Sequence, residues 1–231
     1  MKQNKILIPL IIVVIFSIII ILISKIFYQK YDLTNLLYDI SISIISAFIF
    51  YIFQVYIPQK NRNNIIINNF KERYKIFKQD SIEIFLSLYQ EYSKDKIDQI
   101  EKNNLKDKLL EAKNFKDFFK QNSKIPKQNK WDSVCNAINY NNKYNIDRFL
   151  FLTEIFKNDV DFLINNSEIH NKEVFNFLRR LSDAIYDLKN INYNDDIAKQ
   201  LEVFVWPFFS GWNFVDGYKD ENPIDQMINK I

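Results

Sequence analysis

Glycine is almost missing from this chain: its 231 residues include two, Gly211 and Gly217. That shortage excludes Gly-rich phosphate loops, dinucleotide-binding fingerprints and turn-dense β-sandwiches, each of which needs glycine at several fixed positions. The single cysteine, Cys135, permits no internal disulfide. With only one histidine, His170, the chain also lacks the several thiolates or imidazoles of a zinc site. A bundle-type di-metal centre fails on the same count, since it takes two Glu-x-x-His pairs and His170 has only Glu173 three residues on. Neither the Gly-x-Ser-x-Gly of hydrolases nor a Walker loop occurs. The sequence names no reaction, and the expectation is a non-enzymatic protein with no cofactor and no metal.

Apolar length is what the chain has in quantity. One run covers residues 6 to 27 and a second covers 36 to 57. A helix of about 20 such residues rises about 30 Å, enough to cross the hydrocarbon core of a bilayer. The first run exceeds the h-region of a secretory signal, roughly 7 to 15 residues, and Ser24-Lys25-Ile26-Phe27-Tyr28 offers no small-residue cleavage site. The pair therefore reads as a retained transmembrane hairpin, residues 1–58. Lys2 and Lys5 precede it, and Lys60, Arg62, Lys71, Arg73 and Lys75 follow it, whereas Lys25 and Lys30 near the turn are opposed by Asp32 and Asp39. Cationic flanks stay inside, so the reading is a multi-pass bacterial inner (plasma) membrane protein with both termini cytoplasmic. Residues 59–231 then form one cytoplasmic domain.

The spans have sides. On a helical wheel Asp39, Ser43, Ser46, Ala47 and Gln54 share an arc of about 100° on the second span, with Phe50 among them and Ser41 pointing away. Ser17 and Ser24, seven apart, share a face of the first span. Such a stripe either packs the two helices together or lines a polar path between several hairpins.

Beyond the spans the apolar period is helical. Ile66, Phe70, Tyr74, Phe77, Phe85, Leu88 and Tyr92 recur at steps of three and four, with Ser81 in the one gap. This predicts a basic juxtamembrane stalk over about 62–92, bent at Pro58, which lacks a backbone donor. A bundle over about 104–231 follows. Its first helix carries Leu105, Leu109, Ala112 and Phe119; a polar linker over 121–130 holds Pro126; a short helix from Trp131 closes at Asn141-Asn142. Asn171, Asn194 or Asp195, and Asn222 before Pro223 read as caps of the later helices. The fold class expected is all-α, with six to eight helices in the bundle and no sheet.

Candidate sites in the domain are sparse. Asp159 with Asp161, Asp195 with Asp196, and Asp216 with Asp220 and Glu221 are acidic clusters without matched ligand spacing, and Arg179-Arg180 reads as a polar helix face. The aromatic stretch Phe204 to Tyr218 contains both glycines and is either core or a docking surface made by Trp206, Phe209, Trp212 and Phe214. Charge is segregated: residues 60–144 hold 18 Lys and Arg against 11 Asp and Glu, and residues 145–231 hold 9 against 15. The partners expected are the lipid bilayer and a second copy or another protein. No nucleic acid and no small-molecule substrate is indicated.

No residue motif assigns the chain to a family. Its general plan, a two-span hairpin joined to a helical domain, is similar to that of some bacterial membrane effectors of antiphage defence, and that similarity implies a soluble part controlling assembly of the membrane part. Three functions stay open on the sequence: a non-enzymatic interaction or self-assembly protein that regulates its hairpin, a membrane-perturbing or pore-forming effector of abortive infection, and a membrane-tethered enzyme using acidic residues of the distal half.

Overall fold

The computed structural model describes residues 2–27, 32–140, 143–188, 197–213, 217–219 and 222–231, with side chains from residue 8 to 24 and from 35 onward. The chain divides into two compact units, Met1–Ile65 and Ile66–Ile231.

The first unit holds α1 (Lys2–Phe27), α2 (Asp32–Tyr51), a π-helical segment (Ile52–Tyr56) and the first turns of α3 (Ile57–Ser93). α1 and α2 pack on each other. The covered positions of α1 are Leu10, Val14, Ser17, Ile20, Ile21 and Ser24, and those of α2 are Asn35, Tyr38, Ser41, Ile44, Ile45, Phe48 and Tyr51. Both sets recur at three and four residues, one stripe per helix. Small side chains let the backbones approach, which is why Ser17, Ser24 and Ser41 are almost fully buried. The Ser17 and Ser41 hydroxyls donate one turn back, to Val13 O at 2.9 Å and Leu37 O at 2.8 Å, so neither needs the other helix as a partner. The π segment ends where Pro58 begins to remove a donor: Ile57 N–H reaches back to Ile52 O, and Pro58 has no N–H to offer Gln54 O. Among the described residues one helix is long and apolar enough to cross a membrane, with a mean hydropathy of 2.1 in its best 18-residue window within Asn35–Ser93. The apolar helix Ile8–Ser24 is shorter.

The second unit is a helical bundle. Besides α3 it contains α4 (Gln99–Lys108), α5 (Ala112–Phe119), α6 (Lys130–Asn139), α7 (Lys143–Asn166), α8 (Lys172–Leu188), α9 (Ile197–Ser210) and α10 (Pro223–Asn229). Phe70, Tyr74, Phe77, Ser81, Phe85 and Leu88 are buried as their spacing required, but they are core and not stalk. From Ser81 to Tyr89 side chains on every side of α3 are buried, the mark of a central helix. Phe85 shows the consequence, touching rings from α5, α6, α7 and α9: Phe115, Trp131, Phe149 and Phe209 lie 5.3–6.3 Å away between centroids. A linear stripe on a long helix reads the same whether one layer or several pack against it, and here several do.

Three smaller expectations also change. Leu105 and Phe119 lie on two helices, because the chain turns at Leu109–Glu111, where Leu110 N–H donates to Asp107 O at 3.4 Å. The segment 121–130 is not a linker between bodies; an Asn122–Asn129 bridge closes it and Lys130 N–H donates to Gln121 O at 2.9 Å. A two-stranded antiparallel ladder exists where no sheet was expected, β1 (Trp212–Asn213) with β2 (Gly217–Tyr218), in the register Trp212↔Tyr218 and Asn213↔Gly217. Both glycines of the chain bound it. Gly211 ends α9 at φ +70° and Gly217 opens β2 at φ +72°, conformations that an L side chain resists.

Candidate interaction faces and a buried lysine cluster

On α2 and its π segment the polar stripe faces outward. Asp39, Ser43, Ser46 and Gln54 are all exposed, and the Ser43 hydroxyl donates to Asp39 O at 2.9 Å. Ser41, the one serine off the stripe, is the one buried in the seam with α1. Ser17 and Ser24 therefore belong to the Ser41 seam, and the packing of α1 on α2 leaves the stripe untouched. Phe50, within the same arc, is 67% exposed.

The basic residues that follow the α1–α2 hairpin do different things. Lys60, Arg62 and Lys75 are exposed, Lys71 is half-buried, and Arg73 pairs with Asp159 of α7 at 3.3 Å. Of the candidate docking aromatics, Phe209 is 1% exposed and lies 5.4 Å from Phe115. Trp206 is half-buried, 5.0 Å from Trp131 between centroids, and its indole N–H donates to the Tyr218 hydroxyl at 3.0 Å. Trp212 is half-buried in the ladder, and Phe214 lies outside the described residues. Phe209 and Trp206 are thus packing residues at the junction of α5, α6 and α9. A run of aromatics on an inward-facing helix makes core before it makes surface.

Of the acidic clusters, Asp159 and Asp161 are each paired. Burial raises the Asp159 carboxyl pKa against the opposite pull of Arg73. Burial acts to raise Asp161 as well, but bonds from Lys157 and the Ser182 hydroxyl, both 2.6 Å, outweigh it and hold the carboxyl below its usual range. Asp195, Asp196, Asp216, Asp220 and Glu221 lie outside the described residues. Among the described residues no group of three or more His, Cys, Asp or Glu side chains is placed to hold a metal ion. Exposed His170 stands 4.0 Å from Glu168, and Cys135 is half-buried at the core edge. Asn171 does cap α8, accepting from Glu173 N–H at 2.9 Å.

One cluster has no counterpart in the sequence reading. Lys78 is buried, and its ammonium donates to Leu110 O at 2.8 Å and to both carboxylate oxygens of Asp225, at 3.0 and 3.2 Å. Tyr74 donates to the same carboxylate at 2.5 Å. Burial lowers the Lys78 pKa, although Asp225 pulls the other way; burial and the carboxylate together raise that of Tyr74 well above normal. Asp225 is placed by α10, whose cap Asn222 accepts from Ile224 N–H at 2.9 Å and donates to Phe208 O. The signal was present: Lys78 lies four residues after Tyr74 and three before Ser81, on the apolar stripe itself. A cleft of about 440 Å³ opens beside the cluster, lined by Lys71, Glu111, Lys113, Asn222, Asp225 and Asn229. The ammonium is held between Leu110 O and the Asp225 carboxylate, so the cluster clasps α10 to α3.

Comparison of the chain with protein-family models, with curated proteins and with solved structures finds no match.

Proposed function

We propose that this chain is a non-enzymatic membrane protein whose α1–α2 hairpin spans a bacterial inner membrane and self-associates through the polar stripe of α2, with the helical bundle on the cytoplasmic side governing that assembly. One observation carries the reading: the stripe lies on the face of α2 that α1 leaves open. Around it the hairpin is apolar and uncovered, with Ile12, Phe16, Leu22, Phe50 and Phe53 each at least 60% exposed. Only 6% of the most apolar window is buried, unlike a core helix of the same composition. Lipid suits that surface. It does not suit Asp39, Ser43, Ser46 and Gln54, which favour facing a protein interior or water. A second hairpin supplies that cover, and small hydroxyl side chains suit close helix approach.

The same outward stripe favours a second reading, a polar path lined by several copies, as a membrane-perturbing effector would need. Lys60 and Arg62, exposed just past the π segment, fit attachment to an anionic inner leaflet.

The test uses the full chain carrying Cys135→Ala. It should stay in membranes washed with carbonate, and Ser46→Cys should form disulfide-linked dimers while Ser41→Cys does not. Release by carbonate, or equal crosslinking at 46 and 41, overturns the proposal. Ion leakage through vesicles holding the chain, abolished when Ser43, Ser46 and Gln54 are all changed to Leu, selects the path over a passive contact.

A further inference from the structure

We infer that α7 carries a second self-association surface, on which a second copy of this chain docks antiparallel. The solvent side of α7 is not polar as an outer helix face should be. Tyr144, Phe151, Ile155 and Phe162 are 75, 61, 37 and 55% exposed. With half-buried Arg148 and exposed Asn158 they form a single stripe whose members follow one another at alternating steps of four and three residues, the spacing of a coiled-coil seam.

The seam fits a copy of itself. In an antiparallel pair centred on the level of residue 153, Tyr144 meets Phe162 of the second copy and Phe151 meets its Ile155, so apolar groups meet apolar groups. Arg148 and Asn158, the two polar members, meet each other. One flank adds charge complementarity: Arg148 comes level with Asp159 of the second copy, and the twofold axis repeats the pair. In that register the Asp159 carboxylate, paired at 3.3 Å with Arg73 of its own copy, lies between two guanidinium groups. Beside the seam a groove of about 510 Å³ between α3 and α7, lined by Ile76, Asp80, Ile155 and Asp159, extends the contact.

The apolar seam side chains expose roughly 400 Å² per copy, judged from aromatic side chains of about 150–250 Å². A pair buries about 800 Å² before the rim is counted, below the roughly 1,200–2,000 Å² of a stable interface and in the range of a weak, transient one. Confinement to one membrane plane raises the effective concentration enough for such a contact to act, and to that extent the inference rests on the membrane reading. A partner without the palindromic seam has no such register to match.

The test is register-specific crosslinking of the full chain in membranes, in the Cys135→Ala background. A Tyr144→Cys chain mixed with a Phe162→Cys chain should form the mixed disulfide. The Tyr144→Cys chain alone should not, because two copies of residue 144 lie about 18 residues, about 27 Å, apart along the antiparallel pair. Phe151→Asp, at an exposed position and with unchanged tryptophan fluorescence, should reduce the mixed product at least tenfold. No mixed product, an equal yield from Tyr144→Cys alone, or indifference to Phe151→Asp overturns the seam. A chain released by carbonate that still crosslinks in this pattern refutes the membrane reading and keeps the seam; a chain that stays in the membrane and fails to crosslink refutes the seam alone.

Discussion

Replacing Asp225 by Asn should cost the bundle about 2–3 kcal/mol at pH 7, more than removing the lysine it holds. In the native cluster the Lys78 side chain is 5% exposed, and Asp225 is 24% exposed and accepts from both Lys78 and Tyr74. Removing one member of a buried ion pair typically costs about 3–5 kcal/mol, because the other charge is left in a poor environment. The partial exposure of Asp225 lowers that to the figure given. Lys78→Met removes the buried charge itself and keeps the length of the side chain. It leaves Leu110 O without this donor and Asp225 with Tyr74 and water, a loss of about 1 kcal/mol. The order of the two variants is therefore the test. Acidity sharpens it. Burial already depresses the Lys78 pKa, and Asp225→Asn depresses it further, so the unfolded chain binds the proton more tightly than the folded one. A lysine whose folded pKa is depressed costs stability below its unfolded pKa near 10.4, and that cost disappears as pH rises toward it. The Asp225→Asn deficit should thus shrink between about pH 7 and pH 10. Urea unfolding of the full chain in mild detergent, followed by tryptophan fluorescence, reads this unit alone, since Trp131, Trp206 and Trp212 all lie within it. A larger loss for Lys78→Met than for Asp225→Asn, or a deficit that grows with pH, would refute the reasoning.

Three further outcomes follow from the core. Tyr89 donates to Asp95 at 2.6 Å, and burial with that bond raises its pKa to about 12, so Tyr89 should cost the unit stability as pH rises from 10 to 12, as Tyr74 does too; Tyr89→Phe should lessen that loss in an alkaline titration monitored by circular dichroism. Phe156→Ala opens a cavity among Phe70, Tyr74, Phe77 and Phe208, whose ring centroids lie 4.5–6.1 Å away, and should cost about 3–5 kcal/mol by the urea assay. Gly211→Ala forces a side chain to φ +70° with its Cβ 3.3 Å from both Ala112 Cβ and Lys219 O, so a loss of about 1–2 kcal/mol and looser protection of the 212–218 ladder in hydrogen exchange are expected.

Much of the bundle is legible as spacing. Phe70, Tyr74, Phe77, Phe85 and Leu88 had to share a helix face, and Asn171 and Asn222 are caps because each precedes an apolar period with a side chain that can accept from the new helix. What spacing does not carry is how many layers pack on a helix. Ile82 and Leu86 lie off that stripe, and their burial is what turns an expected stalk into a central helix. The α4–α5 break is not legible because neither Gly nor Pro marks residues 109–111, and strands of two residues are too short to show alternation. Lys78 stands out in the sequence only as a cation on the apolar stripe, and its partner, almost 150 positions away at Asp225, reveals its role. On α2 the wheel puts Asp39, Ser43, Ser46 and Gln54 on one side, and all four are exposed. Which face α1 takes depends on Ser41 allowing closer approach, a packing preference that a wheel does not express.

The stoichiometry of the full chain in lipid nanodiscs, by native mass spectrometry, bears most directly on the central claim. With the α7 seam silenced by Phe151→Asp, an outward stripe that needs protein cover predicts two or more copies per disc, falling to one when Ser43, Ser46 and Gln54 are also replaced together by Leu. A chain that is a single copy before the replacement, or whose copy number ignores it, contradicts the claim.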